Sequence, residues 1–270
     1  MKNTKYFFSY IVSILLLIVP VQAVSALPTI SASSAIMIEA QTGNILFDKN
    51  ALEIRAPAST TKILTALLAI EHGNLDMPVR VGKKADLTSE SSIYLNENDL
   101  ISLNNLVHGA LIKSGNDACV AIAEALAPSE EEFVGLMNLK AKAIGAQATN
   151  FRNTNGLPQE AHLTTAYDLA IITRYALCNP VFREIVQKKS YELRWLNPSR
   201  RITIKNTNKL LWLYPYATGV KTGTTAKAGK CLVASAKYAD RELIVVLLNS
   251  PNRFGDAQRL FEYGFKREGE

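Results

Sequence analysis

Ser59 and Lys62 stand three residues apart inside an otherwise apolar stretch, Ala56-Pro-Ala-Ser-Thr-Thr-Lys-Ile-Leu-Thr-Ala-Leu-Leu-Ala-Ile-Glu-His-Gly73. At that spacing two side chains share one face of a helix. A lysine in such surroundings loses its hydration, which disfavours the ammonium form and lowers its pKa. A deprotonated amine beside a hydroxyl is a nucleophile with its general base. Free backbone N–H groups at a helix start would favour the negative charge that develops when that nucleophile attacks a carbonyl. The pair is the one Ser-x-x-Lys in the chain. Two further short motifs follow it, Ser114-Gly-Asn116 and Lys221-Thr-Gly223. Their spelling recurs in Ser102-Leu-Asn104, Ser250-Pro-Asn252 and Lys113-Ser-Gly115, so context must separate them. Ser114-Gly-Asn116 lies in a polar break where side chains can enter a cleft. Lys221-Thr-Gly223 opens a strand hairpin whose small residues let a substrate backbone approach.

The elements that must position these residues are legible in outline. Residues 56–73 read as one helix buried on all sides, with Pro57 and Ser59 at its start and Gly73 past its end. Residues 34–38 and 45–48 form a hairpin around Ala40-Gln-Thr-Gly-Asn44. Residues 76–100 read as loops with short strands. Helical periods cover 103–113 and 118–126, and a capping box at Ser129-Glu-Glu-Glu132 opens a helix closed by Gly145. Thr164 or Thr165 caps another helix through Leu177, and a short one follows Asn179-Pro180. Strand patterns then take over at 190–195, 201–205, 219–224, 231–237 and 242–248, before a closing helix at 255–264. Strands at both ends and helices between them predict an α/β (α+β) fold. In it, the N-terminal hairpin joins the C-terminal strands in one antiparallel sheet, with helices packed on it and a helical subdomain.

Composition sets the remaining bounds. The 270 residues are 48% hydrophobic with a formal net charge of +6, enough for one large domain. No basic tract is interleaved with aromatics, which speaks against nucleic-acid binding. Residues 1–26 read as a signal peptide, with Lys2 and Lys5 ahead of an uncharged run and small residues before a cleavage point after Ala26. An uncleaved anchor helix is the alternative there. Cys119, Cys178 and Cys231 match no zinc spacing, and no disulfide is assigned. His72, His108 and His162 have no ligand-like partners, with His162 read as lining the cleft's rim; no metal and no cofactor are expected.

In this order and placement the three motifs resemble those of the penicillin-binding-protein and serine β-lactamase superfamily. The nearest resemblance is to its low-molecular-mass D-alanyl-D-alanine carboxypeptidases. It is carried by Pro57-Ala-Ser-Thr-Thr-Lys62, Ser114-Gly-Asn-Asp-Ala118, Asn155-Gly-Leu157 with Thr165-Ala-Tyr-Asp-Leu-Ala170, and Gly219-Val-Lys-Thr-Gly-Thr-Thr225 with Leu232-Val-Ala-Ser-Ala236, and it spans residues 30–265.

The resemblance implies a serine-type enzyme acting on peptidoglycan stem peptides that end in D-Ala-D-Ala, with β-lactams as inhibitors. It implies Ser59 as nucleophile, Lys62 as base, and Ser114 as proton relay to the leaving amine. Asn116 would orient Lys62 and the substrate amide. Lys221 and Thr222 would hold the terminal carboxylate, with Arg253 as a further candidate. The Ser59 and Thr224 N–H groups would form the oxyanion hole, and Gly223 would belong to the substrate-binding residues.

Larger members of that family carry a second β-rich domain and an amphipathic anchor. Here 27–270 reads as a single transpeptidase-like domain, which implies an exported protein, secreted or loosely associated with wall or membrane. Two other readings use the same residues. A class A β-lactamase needs a glutamate-activated water, and Glu192-Leu-Arg-Trp-Leu-Asn197 is one residue too long for its usual string. A non-catalytic penicillin sensor or wall-binding module would not need Lys62 buried beside Ser59.

Overall fold

Two apolar runs, Cys231-Leu-Val-Ala-Ser-Ala236 and Leu243-Ile-Val-Val-Leu-Leu248, have no polar face, so both sides of their strands must be covered. A computed structural model describes residues 27–266, and the expected signal segment lies outside the described residues. In this structure β1 (Ser34–Glu39) and β2 (Ile45–Lys49) join β7 (Ala217–Thr225), β8 (Gly229–Tyr238) and β9 (Arg241–Leu248) in one antiparallel sheet of order β2-β1-β9-β8-β7. Side chains alternate across it as strand geometry requires. Ile244, Val246 and Leu248 pack into the main core, whereas Leu243, Val245 and Leu247 face α9 (Arg253–Lys266) and its Ala257, Leu260 and Phe261. The sheet from both chain ends is therefore present as expected, and β7 is its edge.

The helices fill the main core side. In α1 (Lys62–His72) eight consecutive residues, Lys62 to Ala69, are buried. Here the structure corrects the single helix read over 56–73. Residues Ala58–Thr61 form a tighter 3-10 turn, so Ser59 sits in that turn and does not cap α1. The cause is local. Ala58 is left-handed at φ +50°, and the Thr60 and Thr61 hydroxyls donate to the Pro57 and Ala58 carbonyls at 2.7 and 2.9 Å. These side-chain bonds compete with the α-helical pattern and tighten the first turn.

The single sheet expected from the sequence is corrected here: the strands read at 190–195 and 201–205 form a second sheet of β3 (Pro78–Arg80), β4 (Leu100–Ser102), β5 (Ser190–Asn197) and β6 (Arg201–Lys205) in that order. The short α2 (Lys83–Asp86) follows β3. From β4 the chain runs into α3 (Leu103–His108), a π-helical turn at Gly109–Lys113, and α4 (Asn116–Leu126). Next come α5 (Glu130–Ile144), α6 (Ala166–Leu177) and α7 (Pro180–Gln187). Two of the caps are those the sequence names, with Ser129 accepting from the Glu132 N–H and Gly145 left-handed. Of Thr164 and Thr165 it is Thr165 that accepts from the Asp168 N–H, and Asn179, read only as a helix end, caps α7 by accepting from the Val181 and Phe182 N–H groups. The four-residue α8 (Leu210–Leu213) leads into β7.

His108 on α3 is buried, stacked 3.7 Å from the Tyr191 ring, with Nδ1–H donating to the Asn104 carbonyl and Nε2 unpartnered. Burial lowers its pKa to about 4. Between the unfolded value of about 6.5 and that folded value, the unfolded chain binds a proton that the native state refuses. Stability must therefore fall as pH drops from about 6.5 towards 4, by about 1.4 kcal/mol per pH unit for one such histidine. Urea midpoints measured between pH 6.5 and 4.5 should show this slope. Buried His162 is also held at about 4 and adds a similar slope, so His108→Phe, which keeps the stacking and cannot titrate, should remove about half of the total dependence.

Candidate active site

The 3-10 turn that carries Ser59 packs against the edge strand β7, and the sequence-predicted residues meet beside it. Lys62 Nζ lies 3.0 Å from Ser59 Oγ and donates to Asn116 Oδ1 at 2.8 Å and to the Asn155 carbonyl. Ser59 is half-buried and open to the cleft, whereas Lys62 is fully buried. A neutral amine has two hydrogens and one lone pair. With Asn116 and Asn155 taking the two hydrogens, the lone pair is left facing the Ser59 hydroxyl. Burial pulls the Lys62 pKa down to about 8, so a substantial neutral fraction exists near neutrality.

A second serine–lysine pair stands beside the first. Ser114 closes the π-helical turn in left-handed backbone, φ +68°, and is buried. Lys221 Nζ donates to Ser114 Oγ at 2.9 Å and to the Thr222 carbonyl at 2.8 Å. Lys221 is also fully buried, and its pKa is held well below the ordinary lysine value, first by burial and then by the charge of Lys62. Two ammonium groups in one buried site oppose each other, so each favours a neutral partner.

The remaining predicted residues divide. Asn116, first residue of α4, is buried and braces Lys62, and its Nδ2–H donates to the Ser89 carbonyl at 3.1 Å. Thr222 turns its hydroxyl to Thr207, 2.7 Å away. Thr224 is exposed at the cleft. Gly223 admits no side chain, because an added Cβ would stand 2.9 Å from the Ser59 nitrogen. Arg253 Nη1 donates to the Gly223 carbonyl, Thr224 Oγ1 and the Cys231 carbonyl at 2.8, 2.9 and 3.1 Å. That guanidinium edge therefore braces β7 against β8 next to the cleft. His162 departs from expectation. It is buried behind the Ser59 turn, 3% exposed, and does not line the rim.

Three contributors escaped the sequence reading. Asn155 acts on Lys62 through its backbone carbonyl, which side-chain identity does not reveal. Its loop is strapped over α1 by the Thr65 hydroxyl on the Thr154 carbonyl at 2.6 Å. Thr207 links three parts, since its N–H donates to the Ile112 carbonyl at 3.1 Å while its hydroxyl meets Thr222. Asp117 is 1% exposed, and its carboxylate takes hydrogen bonds from Ser92 Oγ and from the N–H groups of Ile93, Leu95 and Ala118. It fixes the 91–95 loop beside Asn116. Asp117→Ala strands those donors, and the expected loss is about 3 kcal/mol or more in urea unfolding, with slower acylation as the loop loosens.

Comparison with known proteins follows the same lines. A family profile described as D-alanyl-D-alanine carboxypeptidase matches residues 21–252. D-alanyl-D-alanine carboxypeptidase DacF of Bacillus subtilis is 38% identical over 244 residues, covering 87% of this chain and 62% of its own length. D-alanyl-D-alanine carboxypeptidase DacC of Escherichia coli is 38% identical over 255 residues, with 88% and 62% covered. The chain thus spans 62% of the length of these two relatives. Among solved structures, a Streptomyces DD-transpeptidase variant superposes with a TM-score of 0.85 at 33% identity, covering 88% of this chain and 99% of that one. A D-alanyl-D-alanine carboxypeptidase from Mycobacterium tuberculosis gives 0.84 at 30% identity, with 89% and 93% covered.

Proposed function

The chain belongs to the D-alanyl-D-alanine carboxypeptidase family, and from that premise we propose that it is a serine-type carboxypeptidase removing the terminal D-alanine from peptidoglycan stem peptides. The observation that carries the reading is the doubled pair: two buried lysines, each within 3.0 Å of a different serine hydroxyl in one cleft. Ser59 Oγ attacks the carbonyl carbon between the two D-alanines while Lys62 Nζ takes the hydroxyl proton. The oxyanion accepts from the Ser59 and Thr224 N–H groups. As the tetrahedral intermediate collapses, the C–N bond breaks and Ser114 delivers a proton to the departing amine, its own proton supply backed by Lys221. Water then hydrolyses the acyl-enzyme and restores the Ser59 hydroxyl.

The substrate's terminal carboxylate meets Lys221 and the Thr222–Thr207 pair, and Arg253 adds positive charge from beside Thr224. Asn116 holds Lys62 in place and offers its amide to the substrate. No metal or cofactor enters this chemistry. β-Lactams acylate Ser59 by the same route and block it. A substrate of this kind lies outside the cytoplasmic membrane, which accords with residues 1–26 acting as an export signal. Among the described residues no helix is long and apolar enough to cross a membrane.

The test is D-alanine release from a synthetic peptide ending in D-Ala-D-Ala, run beside intact-mass measurement after exposure to penicillin. Release together with a long-lived adduct is expected. An adduct with no release from peptide or peptidoglycan would make the protein a sensor, and rapid drug loss with no lasting adduct would make it a β-lactamase.

A further inference from the structure

Thr61 and His162 take no part in the proton transfers above, yet both are buried against the Ser59 turn, at 0% and 3% exposure. Their hydrogen bonds leave one consistent assignment. The Arg152 N–H donates to His162 Nδ1 at 2.9 Å, so Nδ1 carries a lone pair. A neutral imidazole then holds its proton on Nε2, which lies 2.9 Å from Thr61 Oγ1. Thr61 accepts that hydrogen bond and is free to donate its own hydrogen to the Ala58 carbonyl at 2.9 Å. A protonated ring would set Nδ1–H against the Arg152 N–H. Burial, helped by the charge of Lys62, keeps the ring neutral by lowering its pKa to about 4.

The end of this chain of bonds is the peptide that matters. The Ala58 carbonyl and the Ser59 N–H belong to one planar unit and point in opposite directions. Whatever fixes the carbonyl fixes the direction of the N–H. That unit is under constraint already, because Ala58 holds a left-handed φ of +50° that an alanine keeps only when its surroundings impose it. Gly156 packs on one side, where an added Cβ would stand 1.9 Å from the Ala58 oxygen, and Gly223 on the other. Steric contact alone limits where the plane can go but does not set its rotation. A directional hydrogen bond does, and aligned donors along Arg152, His162 and Thr61 also strengthen the far N–H as a donor.

We propose that His162, acting through Thr61, is a positioning residue that orients the Ala58–Ser59 peptide so that the Ser59 N–H faces the scissile carbonyl. The proposal rests on the acyl-serine reading above and adds to it the device that builds its oxyanion hole. Neither side chain touches substrate.

The test uses the full chain with penicillin carrying a 13C-labelled β-lactam carbonyl. Three quantities are read: the acylation rate constant separated from the preceding dissociation constant, the infrared stretching frequency of the labelled ester in the acyl-enzyme, and the thermal midpoint. Thr61→Val keeps the shape and removes the hydroxyl. It should slow acylation about tenfold or more with little change in the dissociation constant, since an oxyanion donor acts in the transition state. It should also move the ester band to higher wavenumber, as expected for a carbonyl that has lost a hydrogen bond. Thr61→Ser should restore rate and band together. His162→Asn keeps an acceptor for the Arg152 N–H and withdraws the Nε2 donor, and should shift both readouts in the same direction by about threefold in rate. It serves also if Thr61→Val does not fold. Wild-type rate and band in Thr61→Val and His162→Asn, even with lowered midpoints, would reduce the pair to core packing and overturn the proposal. A wild type that takes no label at all would overturn the acyl-serine reading and this inference with it.

Discussion

Ser59→Ala should carry no penicilloyl adduct by intact mass, and D-alanine release should fall by about 10⁴-fold or more. The expectation follows from what the substitution removes and what it leaves. It removes one half-exposed hydroxyl, the hydroxyl to which Lys62 Nζ comes within 3.0 Å. It leaves the 3-10 turn, because the bonds that close that turn belong to Thr60 and Thr61. The unfolding free energy should therefore stay within about 1 kcal/mol of wild type, so lost activity cannot be assigned to lost structure. An adduct of unchanged mass on the variant would reject Ser59 as nucleophile. Peptide mapping would then be directed first to Ser114, whose hydroxyl also meets a buried lysine.

The second large effect concerns Lys62. Its folded pKa of about 8 predicts an acylation rate that climbs with pH up to about 8 and levels above it. The sign is that of a general base: the neutral amine is the active form, and below the pKa its fraction falls about tenfold per pH unit. Lys62→Met should lower acylation by about 10³-fold or more and erase that rising limb. Lys62→Arg separates charge from basicity. A guanidinium keeps the positive charge and does not deprotonate in this range, so the arginine variant should be as slow as the methionine one. If the arginine variant kept most of the activity, Lys62 would serve as a fixed charge and the proton would have to leave by another route. If the limb survived in Lys62→Met, its origin would move to Lys221, the other buried amine whose pKa is lowered.

The three motifs, which meet through Lys62 with Ser59 and Asn116 and through Lys221 with Ser114, were legible because residue type and local order carry them. Ser59 and Lys62 needed only helical spacing, and the apolar run behind them already implied a desolvated lysine. The five-stranded sheet was legible for a related reason, since runs such as Leu243 to Leu248 leave no face for water. Local cues also named the caps of α5 and α6, where short side-chain bonds between near neighbours decide the outcome. The second sheet escaped because β3 and β4 are three residues each, and β4 must reach β5 across the chain, pairing Ile101 with Trp195. Such short strands carry no period of their own.

Sequence alone thus determined which groups could react: a serine with a desolvated lysine, a second serine in a polar break, and a lysine on a strand hairpin of small residues. Those are properties of side-chain chemistry and of neighbours within a turn or two. Tertiary structure decided how the groups are aimed. The left-handed backbone at Ala58 and Ser114, the Asn155 carbonyl on Lys62, the Thr207 hydroxyl on Thr222 and the His162–Thr61 bonds all join segments distant in the chain or depend on backbone torsion. A hydrogen bond to a backbone oxygen has no side-chain signature at the acceptor, and a positive φ at alanine or serine is imposed by packing against a residue's own preference.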